Sequence, residues 1–240
     1  VERQPVDAVY AQIEQDLLDA AEELPASYGS TDLGRATRGA AWALLSKVYL
    51  TWGQVSPTFS EAERKAKYAQ AVEAANQVTG YALEEDFSAN WDNNNRNGKE
   101  SIFATQHNTG SAADGTGGNH LCHCAFSSGF SNSLPHVVPA NRDVEDSYAP
   151  GDQRREASFA DSLYNPETGN YYVFDLPRFR KYIDISDPNG SANNRNVNRT
   201  ILRYAEVLLV KAEAINERDG GPNAEAYEAI NQVRRRAFRS

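Results

Sequence analysis

Apolar residues at helical spacing dominate both ends of this chain and fade in its middle. From Val6 to Leu24 the positions Val6, Val9, Tyr10, Ile13, Leu17, Ala20, Ala21 and Leu24 recur every three or four residues. That period predicts an amphipathic helix, opened by Pro5 in its first turn and ended at Leu24-Pro25. A second helix is predicted over Arg35–Trp52, with Ala41, Leu44, Leu45, Val48, Tyr49 and Trp52 on its apolar side. A third runs from about Ser60 to Thr79, between Pro57 in the turn and Gly80 as the stop. The stretch from Asn198 to Asp219 predicts a long helix in which Ile201, Tyr204, Ala205, Leu208, Ala212 and Ile215 form one stripe. Leu202, Val207, Leu209, Val210 and Ala214 widen that stripe, so neighbours are expected on several sides. Gly220-Gly221-Pro222 ends it, since glycine takes the left-handed conformation and proline cannot continue a helix. Asn223 then caps a last helix whose inner face is predicted to carry Tyr227, Ile230, Val233 and Ala237.

The helices pair as hairpins. Asn76-Gln77-Val78 near the end of the third helix recurs as Asn231-Gln232-Val233 in the last, which suggests degenerate tetratricopeptide-like units. From Tyr81 to Val197 the chain is rich in Gly, Asn, Ser, Asp and Pro, with possible strands only at Ile102–Gln106, Tyr171–Leu176 and Phe179–Ile185. The expected fold is therefore mainly α: helical scaffold over 1–80, a loop-rich insert with a few short strands over 81–197, and a helical hairpin over 198–240 that packs on the first part. A connecting segment of such length usually carries function, so the insert is the expected binding surface.

Six stretches of the chain, in order, resemble the SusD/RagB family of bacterial cell-surface glycan-binding lipoproteins. They are DLLDAAEELP (Asp16–Pro25), GRATRGAAWALLSKVYL (Gly34–Leu50), KESIFATQ (Lys99–Gln106), GDQRR (Gly151–Arg155), FRKY (Phe179–Tyr182) and RYAEVLLVKAEAINE (Arg203–Glu217). The segment from His107 to Val144 matches nothing recognisable. The resemblance implies an α/α superhelix that binds oligosaccharide or polysaccharide without catalysis, at the outer-membrane surface. It implies a SusC-like, TonB-dependent transporter as partner, no cofactor, and a lipid anchor at an N-terminal cysteine upstream of the sequence given. Val1 stands in mid-pattern and no signal peptide precedes it, so the chain is expected to be a piece of a longer protein.

Charge narrows the partners further. The net charge of −9 argues against nucleic acid, whose phosphates require a basic face. Arg234, Arg235, Arg236 and Arg239 form a basic cluster, read as cations that complement a helix C-terminus. No apolar run approaches a membrane span. Cys122 and Cys124 are too few and too close to define a disulfide framework or a redox compartment.

Candidate chemistry lies in the insert. Sugars offer a C–H face that stacks on aromatic rings and hydroxyls that pair with amides and charged groups. Trp91, Phe130, Tyr148, Tyr164, Tyr171 and Tyr172 lie in polar surroundings and, with Asn94, form the candidate glycan-binding set. For any single ring a cap over a local core is the preferred reading, and for the set contact with ligand at one ring or more is expected. His107, His120, Cys122, His123 and Cys124 have zinc-type side chains, but usual zinc spacing and a second ligand segment are missing, so packing is the preferred reading. Asn93, Asn95, Asn97 and Gly98 imitate a calcium loop without its leading Asp or closing Glu and are read as a turn, as are Asp187, Asn189 and Gly190. Asp114–Gly118 lacks the lysine of a phosphate loop, and Gly129–Ser133 lacks the last glycine of a nucleophile elbow. Asp143, Glu145 and Asp146 offer the carboxylates of a glycosidase, the main enzymatic alternative. Asp152 and Arg154 are read as a structural ion pair. The other alternative is a peptide-binding scaffold that uses the helical groove itself.

Overall fold

The computed structural model describes residues 2–107, 143–165, 169–181 and 198–239. Among these the chain is mainly α. Helices α1 (Val6–Glu23), α2 (Arg38–Val55) and α3 (Glu61–Asn76) precede strand β1 (Ser101–Thr105). Helices α4 (Asp143–Asp146) and α5 (Gln153–Ser158) lead into strands β2 (Phe159–Asn165) and β3 (Asn170–Phe179). Strand β4 (Arg199–Arg203) runs directly into α6 (Tyr204–Asp219), and α7 (Ala224–Phe238) closes the chain. Strand β1 pairs with β4, and β2 pairs with β3.

Side-chain chemistry sets the helix ends. Thr37 accepts a hydrogen bond from the Ala40 amide, which moves the start of α2 three residues past the expected Arg35. Ser60 and Glu63 form a reciprocal capping box at α3. Gly220 takes φ +72° at the end of α6, and the Gly221 amide returns to the Asn216 carbonyl. The Asn223 side chain accepts from the amides of Glu225 and Ala226 to start α7.

The chain divides into two compact units. The first comprises residues 1–83, 99–104 and 200–236 and is a helical assembly of tetratricopeptide-like hairpins. Within it α1 packs on α2, α2 on α3, and α3 on α6. Its core is alanine-rich: Ala71, Ala74, Ala214 and Ala226 lie among Leu45, Tyr49, Tyr68 and Ile215. Small side chains let helix backbones approach closely, and each fully buried Leu or Ile contributes about 1.5–3 kcal/mol. A second cluster joins Ala40, Ala43 and Val78 to Ile102 of β1 and to Leu202 and Val207.

Three expectations change here. Ile201 and Leu202 lie on β4 rather than on the long helix, because pairing with β1 overrides a locally helical pattern. The pleat then buries Leu202 and leaves Ile201 51% exposed. Helix α6 is also less enclosed than its composition implies, since Leu209 faces outward. On α7 the buried positions are Ala226, Ala229, Val233, Arg236 and Ala237, whereas Tyr227 and Ile230 are exposed. The helix is rotated so that Ala226 and Ala229 join the expected Val233 and Ala237 inside, while Tyr227 and Ile230 face outward.

Arg236 therefore does not act as a surface cation near a helix end. It donates to Glu100 Oε2 at 2.6 Å, while Arg203 Nη1 reaches Glu100 Oε1 at 2.5 Å. Glu100 is fully buried, and its backbone carbonyl accepts from the Tyr204 amide. One carboxylate thus joins the residue before β1, the end of β4 and helix α7.

The second unit comprises residues 84–98, 105–199 and 237–240. Its described part holds two short 3-10 turns (Phe87–Trp91 and Asn93–Asn95), α4, α5 and the antiparallel hairpin β2–β3.

Candidate functional site

The hairpin carries the arrangement best suited to a ligand. Its register sets Tyr164 opposite Tyr171 and Ser162 opposite Val173, with a bulge between Ala160 and Ser162. Gly169 supplies the left-handed residue of the connecting turn, at φ +69°. Strand alternation puts Tyr171 and Val173 on one face, and cross-strand pairing adds Tyr164 and Ser162 to it. The two tyrosine rings lie 5.1 Å apart, tilted by 51°. They stay open: Tyr164 is 50% exposed, Tyr171 68% and Val173 79%. Two hydroxyl-tipped rings side by side offer C–H stacking faces and a donor and acceptor at each tip.

The other candidates have different settings. Trp91 stands edge-on to the buried Phe87 at 5.8 Å, and Lys181 Nζ lies 5.0 Å from its ring. Tyr148 meets the buried Phe159 edge-on at 6.2 Å, with the Arg154 guanidinium 5.9 Å from its ring. Both are half-buried members of small local clusters. Asn94 is exposed and bonds back to Asp92 Oδ1 through its amide N–H and its side chain. The side chain of Tyr172 lies outside the described residues; its backbone pairs with Leu163. Phe130 lies outside them, as do His120, Cys122, His123, Cys124, Asp114–Gly118, Gly129–Ser133 and Asp187–Gly190.

The asparagine-rich turn is occupied by its own bonds. Asn95 Nδ2 donates to Glu84 Oε1 and to the Ala89 carbonyl. Asn97, at φ +57°, exchanges two 2.9 Å amide bonds with Gln106. Buried Asn198 donates to Gln106 Oε1 at 2.8 Å and accepts from the His107 amide and from Arg96 Nη2. No group of three or more metal-ligating side chains gathers among the described residues.

Of the glycosidase candidates, Glu145 is the one with a partner shown. Glu145 is buried and ion-paired with Arg155, which reaches Asp161 at 3.0 Å as well. Asp143 and Asp146 lie on the same single-turn helix and are exposed. Asp152 caps α5 and takes Arg154 Nε at 2.9 Å, so the expected structural pair is present. Hydrogen bonding from Arg154 holds the Asp152 carboxyl below its ordinary pKa and raises that of the guanidinium.

Sequence reasoning missed Val173 and Ser162 on the tyrosine face. Their signal is alternation with Tyr171 and Tyr164, legible once β2 is recognised as a strand.

Two family models match this chain. A model of the SusD family covers residues 141–240, and one described as starch-binding associating with outer membrane covers residues 1–50. Together they span more than half of the sequence. The chain belongs to the SusD family. SusD-like protein P2 of Formosa agariphila is 28% identical over 262 residues, a match that takes in 99% of this chain and 48% of that protein. A SusD superfamily protein from Parabacteroides distasonis superimposes with a TM-score of 0.79 at 25% identity, over 98% of this chain and 51% of that one. A laminarin-binding SusD-like protein superimposes with a TM-score of 0.71 at 27% identity, over 96% and 54% of the two chains. The SusD-like chain thus spans about half the length of each of these three relatives. Five of its six recognised stretches fall in the two matched ranges, and Lys99–Gln106 lies between them. No helix among the described residues is long and apolar enough to cross a membrane.

Proposed function

We propose that this SusD-like chain captures an oligosaccharide or polysaccharide at the outer-membrane surface, without cleaving it, and passes it to a SusC-like, TonB-dependent transporter. The observation that carries the reading is the open Tyr164–Tyr171 pair beside Val173 on one hairpin face. Family membership supports it, as do the laminarin-binding structural relative and the outer-membrane wording of the model that matches residues 1–50. Stacking and hydroxyl pairing hold a sugar without bond making or breaking. Hydrolysis would instead need two carboxylates flanking the glycosidic bond. The Glu145 carboxylate is already engaged by Arg155, which favours a structural role for it.

Calorimetric titration with a panel of oligosaccharides tests the assignment. Tyr164→Ala and Tyr171→Ala each weaken binding of the preferred glycan by about tenfold, equivalent to ~1.4 kcal/mol. Tyr227→Ala, on the exposed side of α7, leaves binding unchanged. Undiminished affinity in both ledge variants would remove the site, and shortened sugars in the titration cell would remove the non-catalytic claim.

A further inference from the structure

The paired hairpin tyrosines have a chemistry of their own. We infer that Tyr164 and Tyr171 form an oxidative coupling site, where a one-electron oxidant such as a haem peroxidase with hydrogen peroxide joins the rings as dityrosine. Antiparallel register sets the two residues directly opposite each other, with ring centroids 5.1 Å apart. Both rings are open to a diffusing oxidant, Tyr164 at 50% exposure and Tyr171 at 68%. No other two tyrosine rings meet among the described residues, where the remaining close ring pairs each join two different kinds of ring. Competing sinks for an oxidant are few. The chain contains no methionine, and its two cysteines are Cys122 and Cys124. Trp52 is buried, and Trp42 and Trp91 are half-buried.

The step balances. Each phenol O–H gives one electron to the oxidant and its proton to water. The two phenoxyl radicals then join through the ring carbons next to the C–O carbon, forming one C–C bond. The hydrogens on the joined carbons transfer through water to the two oxygens, which restores both phenols. The protein loses two electrons and two protons in all, and one hydrogen peroxide takes them up as two molecules of water. An exposed ring turns about its side-chain bonds within nanoseconds, so the 51° tilt is no obstacle. A partner held across the ladder has an effective concentration on the order of millimolar or more, so coupling within one chain outpaces coupling between dilute chains. The coupling stands on the hairpin geometry alone. Its effect on ligand rests on the sugar-capture reading: a bond between the rings twists and fixes them, so they no longer offer two adjustable stacking faces.

The chain, with its thiols blocked, is treated with a haem peroxidase and limiting hydrogen peroxide. The expected product is a monomer with blue dityrosine fluorescence and a mass lower by two hydrogens. Cleavage after Glu167, which lies between the tyrosines in sequence, leaves the two peptides joined. Tyr164→Phe and Tyr171→Phe each abolish the product. Tyr227→Phe leaves it, since Tyr227 is 54% exposed but has no second tyrosine ring beside it among the described residues. The coupled chain binds the preferred glycan at least about tenfold more weakly. A product that is absent, confined to cross-linked dimers, or undiminished in Tyr164→Phe would overturn the inference and leave glycan capture standing. Coupling at these residues with unchanged glycan affinity would uphold the coupling and remove the ledge as the sugar site. Failure of every glycan to bind the untreated chain would overturn capture alone.

Discussion

Replacing Glu100 with alanine is expected to destabilise the helical unit by about 3–5 kcal/mol, the usual effect of removing one member of a buried ion pair. Glu100 has no solvent exposure, and Arg236 beside it is 8% exposed. Arg203 is the less buried of the two arginines and can turn toward water when the carboxylate is lost. Arg236 has no such route, so a guanidinium remains inside without this counter-ion. The same substitution cuts the tie between β1, β4 and α7. Urea denaturation would show a lower midpoint with an unchanged slope. Glu100→Leu combined with Arg236→Leu recovers much of the loss, because an apolar pair of similar volume often replaces a buried ion pair without penalty. A Glu100→Ala midpoint equal to that of the parent chain would contradict the structural role assigned to this carboxylate.

Gly53→Ala is the second large effect, and its sign opposes helix propensity. Alanine in a helix interior is favoured over glycine by about 1 kcal/mol. Here a Cβ on Gly53 would stand 2.6 Å from Cε1 of Tyr68. Tyr68 is buried in the main core and cannot withdraw. Overpacking of this kind costs about 1–3 kcal/mol, so the net change is destabilising. Gly39→Ala meets the Tyr81 ring at 2.5 Å, but Tyr81 is half-buried and held through its hydroxyl by Thr37. That ring can shift for about the cost of one hydrogen bond, ~1 kcal/mol, so Gly39→Ala is the milder variant. Thermal melts of the two variants order them. Tyr68→Leu should also damage a Gly53→Ala background less than the parent, since the two residues share one space. A Gly53→Ala variant more stable than the parent would show that Tyr68 yields.

The helices were legible because period and stops agreed, as at Ser60, where α3 starts as expected, and at Gly220, where α6 ends; the Thr37 cap shifted a boundary. Where the sequence misled, a distant partner decided. Ile201 and Leu202 continue the helical pattern of α6, yet β1 draws them into a strand. Tyr227 and Ile230 look like core, yet the alanines of α7 win the interior because they permit closer approach. Strand β2 escaped notice because its sequence, FADSLYN, alternates poorly and carries a bulge near Asp161. Without that strand, Tyr164 and Tyr171 are two rings in a loop; with it, they are cross-strand neighbours. Trp91 and Tyr148 show the opposite limit. Each caps a small local cluster, as expected of a single ring, but their polar flanks did not name Phe87 and Phe159 as the residues beneath.

The hairpin tyrosines are proposed to hold the sugar. Ring-selective labelling of tyrosine, followed by NMR during titration with the glycan that binds best, tests it most directly. Saturable shifts and intermolecular contacts are expected at Tyr164 and Tyr171, with the sugar recovered intact. Saturable binding that leaves both rings unperturbed, with the contacts on the helical unit instead, would contradict it.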